Sequence, residues 1–260
     1  MGKLLEVNNI SYGYKSSSTI IKDISFSIEE GEIFTILGPN GAGKSTLLNC
    51  IAGLFQTNNG QILLEGKDII KIPSKIKAQK VAYVPQTSIN SYGYSVRDYI
   101  AMGRAPHLGM FLMPAKSDYK IVDEAIDMLE INHYYNKSYS NISGGQRQLA
   151  NIARAIVQQP KLIIFDEPTS ALDYGNQLKI MRIVKQLSEN GYSIIMTTHN
   201  PNHPILLGGH VGILNTDGNM EIGLVTEIIK EDILSEVYKT KLRLIYMSEI
   251  DRMVCVSENL

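Results

Sequence analysis

At 260 residues, with 44% apolar and 20% charged residues, the chain has the make-up of one sizeable globular domain or two closely integrated layers. A formal charge of −1 gives no electrostatic case for a nucleic-acid surface, so nucleic acid is not an expected partner. Cys50 and Cys255 lie far apart without metal spacing, and no apolar run approaches the ~18 residues of a bilayer span, so the expectation is a reduced chain that does not itself cross a membrane.

The first stretch reads as strands. Residues 4–9 alternate apolar and polar, and Ile24, Phe26 and Ile28 alternate again before a Glu29-Glu30-Gly31 turn. Ile33-Phe34-Thr35-Ile36-Leu37 is continuous enough for a buried strand. It runs into Gly38-Pro39-Asn40-Gly41-Ala42-Gly43-Lys44-Ser45-Thr46, which fits G-x-x-x-x-G-K-S/T, a phosphate-binding loop. Residues 44–54 read as the helix that follows. Ile62-Leu63-Leu64 and residues 81–84 are short apolar strands. From about 94 to 159 the period becomes helical, with Ile121, Val122, Ala125, Met128 and Leu129 on one stripe and Leu149, Ile152, Ala153 and Ile156 on another. Residues 162–165 form a buried strand ending in Asp166-Glu167. Residues 178–187 are an amphipathic helix closed near Gly191, residues 193–197 a strand, and Asp217-Gly218 a hairpin turn. After Thr226 come a short helix through Tyr238 and strand-like runs at 242–246 and 253–256.

The loop states its own chemistry. Glycines at 38, 41 and 43 let backbone N–H groups turn inward on phosphate oxygens, Lys44 adds a positive charge, and the Ser45 hydroxyl suits Mg²⁺. A strand that delivers Asp166 at its carboxyl end suits the same ion, usually through water, and Glu167 is then placed to orient and polarise an attacking water. Ser143, Gly144 and Gly145 precede a long helix, where open N–H groups make either an anion site or a plain N-cap and turn. His199 and His203 have the i, i+4 spacing of a metal pair on a helix. Pro201 and Pro204 argue against a helix there, and so against zinc.

Ile142-Ser143-Gly144-Gly145-Gln146 resembles the LSGGQ signature of the ABC ATPases, with Ile for Leu. Further motifs of that family stand in its order. Tyr14, with Tyr12 as a rival, matches an aromatic that stacks on adenine. Gln86 after Val84-Pro85 matches the Q-loop, Ser170-Ala171-Leu172-Asp173 the D-loop, and His199 after Thr197-Thr198 the switch histidine. The resemblance covers nearly the whole chain. It implies an α/β fold, an ABC-type P-loop ATPase cassette with a RecA-like core, an N-terminal antiparallel β subdomain and an inserted helical subdomain. Residues 1–260 would be one ABC ATPase domain: 1–90 and 160–225 the β subdomain and core, 91–159 the helical subdomain, 226–260 a C-terminal appendage. It also implies ATP and Mg²⁺ as cofactors. Tyr14 and residues 38–46 would bind the nucleotide, with Ser45, Gln86 and Asp166 around Mg²⁺. Glu167, His199 and Gln86 would be catalytic, and Asp173 would serve the D-loop. Ser143, Gly144, Gly145 and Gln146 would face the ATP of a second copy in a head-to-tail homodimer with two sites. Two membrane-spanning permease subunits and, indirectly, a substrate-binding protein complete the implied assembly, which places the chain peripherally on the cytoplasmic face of the membrane.

The run Ser95 to Leu108 looks like the V-x-D-x-x-x-M-G-R-x-P-H-L stretch of ATPases that serve metal-chelate importers, those for siderophores, haem, cobalamin and related oxyanions. The segment from Thr197 to His203 is similar to theirs too. The rival is a single-cassette ATPase of another process, such as iron–sulfur cluster assembly. Leu108, Met110, Phe111, Leu112 and Met113 form an apolar patch that either fills the helical subdomain or receives a short helix of the membrane subunit. Residues 226–260 could regulate or stabilise a dimer; plain packing is the expectation.

Overall fold

The structure, a computed structural model, describes residues 2–14, 19–86, 93–109 and 112–258. In chain order its elements are β1 (Lys3–Tyr12), β2 (Ile21–Glu29), β3 (Ile33–Leu37), α1 (Lys44–Ile51), β4 (Asn59–Leu64), β5 (Lys67–Asp68), α2 (Ser74–Lys80), β6 (Val81–Val84), α3 (Val96–Ala101), α4 (Lys116–Met128), α5 (Gly144–Ile156), β7 (Leu162–Phe165), α6 (Tyr174–Glu189), β8 (Ser193–Thr198), α7 (Asn202–Leu207), β9 (His210–Leu214), β10 (Met220–Leu224), α8 (Val225–Ile228), α9 (Glu231–Tyr238), β11 (Leu242–Met247) and β12 (Arg252–Ser257). The chain divides into two compact units, one of residues 1–71 with 187–260 and one of residues 72–186.

In the first unit an antiparallel sheet has the order β2-β1-β4-β5. Its alternation does what the sequence says: Leu5 faces Ile28 and Leu64, and Val7 faces Phe26 and Ile62. The Phe26 ring stacks on Phe34 with centroids 4.3 Å apart, which ties this sheet to β3. All five residues of β3 are buried, and it runs parallel between β8 and β9, with β10 antiparallel beyond β9. A strand flanked on both sides and covered on both faces needs a continuous apolar run, which Ile33 to Leu37 supplies. Leu37 lies opposite Thr198 and Ile213, so the three parallel strands end at one edge. The C-terminal elements pack there. Val225, Ile228, Ile229, Leu234 and Cys255 are buried in one cluster with Leu37, Val211 and Ile213.

In the second unit β6 and β7 pair in parallel, Val81 opposite Leu162 and Val84 opposite Phe165. The helices gather around α5. Tyr99 of α3 stacks on Tyr139 at 3.9 Å, and both hydroxyls donate to Asn151 Oδ1 of α5, at 2.7 and 3.2 Å. The metal-chelate-like stretch completes this packing as α3 followed by a 3-10 turn, Met102–His107. A Cβ on Gly103 would lie 2.2 Å from the Arg154 carbonyl oxygen, so only glycine permits this approach. Buried Arg104 pairs with Asp118 at 2.9 Å and donates to Val157 O at 2.7 Å and Gln159 Oε1 at 2.9 Å. The Ala115 N–H, then the Arg104 guanidinium, hold the Asp118 carboxyl below its usual range. Breaking such a buried pair costs about 3–5 kcal/mol, which makes Arg104 a structural requirement. Of the apolar patch beyond it, Leu112 and Met113 are 66% and 84% exposed, so they do not fill this unit's core. Met110 and Phe111 lie outside the described residues.

Three local readings change. The helix after the loop stops at Ile51, turned off by Gly53 at φ +63. Residues 74–80 are helical although none is buried, so no apolar stripe announced them. A helix also forms at Asn202–Leu207 despite both prolines: Pro201 is its N-cap and Pro204 sits in the first turn, where no intrahelical N–H is needed. His199 precedes that helix, so the two histidines do not share one helical face.

Candidate active site

The first unit carries the phosphate loop at the carboxyl edge of β3, where ligands of open α/β sheets bind. The Gly38 N–H donates to Thr198 O at 3.3 Å, which holds the start of the loop to the end of β8. Gly41 and Gly43 have φ of +83° and +99°, and a Cβ on Gly43 would meet Ile20 Cγ2 at 2.7 Å. Glycine is therefore required just before α1. No side chain caps α1 and no acid lies in its first turn, which keeps its amide end suited to an anion. The Lys44 side chain is 5% exposed, and its ammonium donates to Gly38 O and Pro39 O, each at 2.9 Å. Ser45 and Thr46 follow in the first turn. His199 comes directly after β8, on the same strand edge as the loop. Tyr14 is half exposed and meets Tyr12 edge-on at 5.3 Å, while Tyr12 stacks on Phe55 at 5.4 Å. Of the two tyrosines, Tyr12 is the packed one.

His203 anchors the segment after β8. It is buried, with Nδ1 2.7 Å from Thr198 Oγ1. Burial, then the nearby His199, pushes its pKa from 6.5 down to about 4. Above pH 6.5 the imidazole is neutral in both folded and unfolded chains. Between 6.5 and 4 the unfolded chain takes up a proton that the folded chain refuses, so stability drops as pH falls through that window. The loss amounts to roughly 3 kcal/mol at its lower end. Denaturant titrations at pH 7.5 and pH 5 should show this drop, and the His203→Gln variant should show much less of it. An equal drop in the variant would place the pH dependence elsewhere.

The second unit carries the acidic pair. Buried Asp166 ends β7, with its N–H on Val84 O at 2.9 Å and its Oδ2 receiving the Tyr83 hydroxyl at 3.0 Å. Burial, then the Asp166 charge, raises the Tyr83 phenol, so it stays a donor. Glu167 is buried at φ +44°, a conformation costly for a residue with a Cβ and frequent where side-chain aim matters. Its Oε2 accepts from Gln86 Nε2 at 3.2 Å, and the same amide nitrogen lies 3.3 Å from Ser170 Oγ. Gln86, Glu167 and the D-loop thus form one hydrogen-bonded group. Asp173 caps α6, accepting from Asn176 N at 2.9 Å and Asn176 Nδ2 at 2.6 Å, and these bonds hold its carboxyl below the usual range.

At the signature, Ser143 Oγ accepts from Gln146 N at 3.3 Å while Gln146 Oε1 accepts from Ser143 N at 3.0 Å, a reciprocal capping box. Gly144 and Ser143 are exposed, and nothing lies within 4 Å of a Cβ at Gly144. The local cap is thus present, with Ser143 and Gly144 exposed beside it. Gly144, Gln148, Gln86, Glu167 and Ser170 line a cleft of about 260 Å³.

The family profile described as ABC transporter matches residues 21–170, more than half of the chain. The chain belongs to the ABC transporter family. Similar relatives of this ABC ATPase extend over nearly all of it. The molybdate import ATP-binding protein MolC of Haemophilus influenzae is 33% identical, covering 92% of this chain and 89% of its own length. The iron(3+)-hydroxamate import ATP-binding protein FhuC of Bacillus subtilis is 31% identical, covering 98% and 95%. A solved inward-facing ABC transporter, described as of metal-chelate type, superposes with a TM-score of 0.88 at 31% identity, covering 100% of this chain and 98% of that one. The fold is thus an ABC cassette with its antiparallel β subdomain, and the protein is an ATP-binding ABC-type ATPase. No helix among the described residues is long and apolar enough to cross a membrane.

Two hydrogen-bonded contacts beside the candidate site have no counterpart in the sequence reading. Tyr83 is 83 residues from Asp166, and only the β6–β7 pairing brings them together. Asn202 bonds to the backbone of Cys255, 53 residues away. Tyr83 belongs to no motif, and Asn202 lies in the Thr197 to His203 stretch, where nothing in the spacing marks its partner.

Proposed function

We propose that this ABC ATPase is the energy-coupling subunit of an importer for a metal-bearing cargo, a chelate such as a siderophore, haem or cobalamin, or a related oxyanion. The observation that carries this reading is full-length similarity to import ATPases for both molybdate and an iron(3+)-hydroxamate. These relatives are about equally distant, which supports the class of cargo and leaves the choice within it to the permease and binding protein. Importer ATPases of this family work as dimers with membrane permeases; here two copies of this chain with two permease subunits, at the cytoplasmic face, are proposed.

In the proposed reaction the loop amides and Lys44 hold the β- and γ-phosphates, and Tyr14 lies against adenine. His199 donates to the γ-phosphate, and Glu167 orients and polarises the attacking water. The Ser143 to Gln146 turn of the second copy presents its helix amides to the same ATP, so closure of the dimer completes each site. Gln86, bonded to Glu167, links this chemistry to the neighbouring permease. Mg²⁺ fits the residues available, since Ser45 hydroxyl and Asp166 carboxylate are hard oxygen donors, with Gln86 an amide oxygen nearby in role. When bound, Mg²⁺ neutralises charge developing on the β- and γ-phosphate oxygens. The Tyr83 hydroxyl, donating to Asp166 Oδ2, orients the carboxylate for that task.

Coexpression with a permease pair of a metal-chelate importer from the same genome tests the assignment. The chain should copurify with the permease pair, and vesicles containing the complex and binding protein should accumulate one of ferric hydroxamate, haem, cobalamin or molybdate when ATP is supplied. Failure to bind the permease, or ATP-driven transport of a metal-free cargo only, would overturn it.

A further inference from the structure

The Asn202 side chain joins the C-terminal hairpin to the segment bearing His199. In the β11–β12 ribbon Leu244 lies opposite Cys255, and the N–H of each donates to a side chain outside the ribbon. On one side the Leu244 N–H donates to Glu231 Oε1 of α9 at 2.8 Å. On the other, the Cys255 N–H donates to Asn202 Oδ1 at 2.9 Å, and Asn202 Nδ2 donates to Cys255 O at 3.0 Å. The Asn202 amide thus pairs with this strand edge as another peptide group would.

From Asn202 the hydrogen bonds continue to β8. The Asn202 N–H donates to Asn200 Oδ1 at 2.9 Å, the Asn200 N–H to Thr198 Oγ1 at 3.0 Å, and Thr198 Oγ1 lies 2.7 Å from His203 Nδ1. His199 is the residue enclosed between Thr198 and Asn200, so its backbone is bracketed by this chain of bonds. The hairpin is itself fixed, because Leu242 and Leu244 as well as Cys255 pack into or against the cluster that contains Leu37, the last residue before the phosphate loop, so no single one of these side chains carries the anchor. The two segments flanking the loop edge therefore share one anchor.

We propose that Asn202 is a positioning residue for His199, and that the C-terminal hairpin is the fixed point from which it acts. The proposal rests on the reading of His199 as the γ-phosphate donor. A donor to a transferring phosphate must be held to about 0.5 Å, and a residue on a short loop needs outside support to achieve that. The C-terminal segment then serves catalysis as well as packing.

The test compares Asn202→Ala with Cys255→Ala in ATP hydrolysis by the purified full chain, alongside thermal melts. Cys255→Ala removes packing but keeps the backbone groups that Asn202 binds. Asn202→Ala should lower kcat about 5–20-fold with KM for ATP within about twofold, whereas Cys255→Ala should keep kcat within about twofold at a comparable loss of melting temperature. Asn202→Asp, which keeps the acceptor for the Cys255 N–H, should fall between wild type and Asn202→Ala. In a His199→Ala background, Asn202→Ala should add less than about a twofold loss. Equal kcat losses in the alanine variants at matched stability, or an undiminished Asn202→Ala effect on top of a slow His199→Ala, would overturn the proposal while sparing the role of His199. A His199→Ala chain as active as wild type would remove both.

Discussion

Replacing Glu167 by Gln is expected to leave ATP binding and dimer formation intact while slowing hydrolysis about 10²–10⁴-fold, ~3–5 kcal/mol of barrier. The substitution keeps size and shape, so the backbone at φ +44° is not further strained and the Gln86 amide still finds an oxygen to bond. What disappears is the basic oxygen that could take up the proton of an attacking water. Because binding and chemistry separate, the two must be measured apart, ATP affinity by equilibrium titration and turnover by phosphate release. Turnover equal to wild type would remove Glu167 from the mechanism.

Lys44→Ala should act on both. The ammonium is nearly enclosed by its own loop, within 2.9 Å of two loop carbonyl oxygens, and it is the cation that the motif places for the phosphates. Charged hydrogen bonds of this kind contribute ~1.5–3 kcal/mol each, so ATP affinity should weaken about 10–100-fold and hydrolysis should fall further still. Fluorescent-nucleotide displacement and phosphate release on the same preparation check this. Normal hydrolysis by Lys44→Ala would contradict the assignment of residues 38–46.

What could be read in advance was chemistry confined to a few consecutive residues. The loop is legible because its glycines, Lys44 and Ser45 must follow one another for the backbone to wrap a phosphate. The Ser143 N-cap and the buried runs of β3 and β7 are local in the same way. Where partners meet only through strand pairing or packing, no spacing records them. Tyr83 on Asp166 and Asn202 on Cys255 are examples, and so is Arg104, whose place in the metal-chelate-like stretch became explicable once Asp118 and Val157 were seen around it. Helix α7 forms against the expectation from its prolines because prolines break helix interiors, whereas these occupy the cap and first turn. Helix α2 has no buried residue, so hydrophobic period had nothing to register.

The central claim is that each ATP is held by the loop of one copy and the signature turn of the other. Gly144→Asp can probe the second half cleanly: a Cβ there meets nothing within 4 Å, and a carboxylate at the start of α5 suits the helix while repelling a phosphate. In a Glu167→Gln background, ATP retained per dimer should be near zero for Lys44→Ala alone and for Gly144→Asp alone. Mixed dimers of the two should retain one ATP, at the site built from the intact loop of one copy and the intact signature of the other. Full retention by Gly144→Asp alone, or no retention in the mixed dimers, would contradict a shared site.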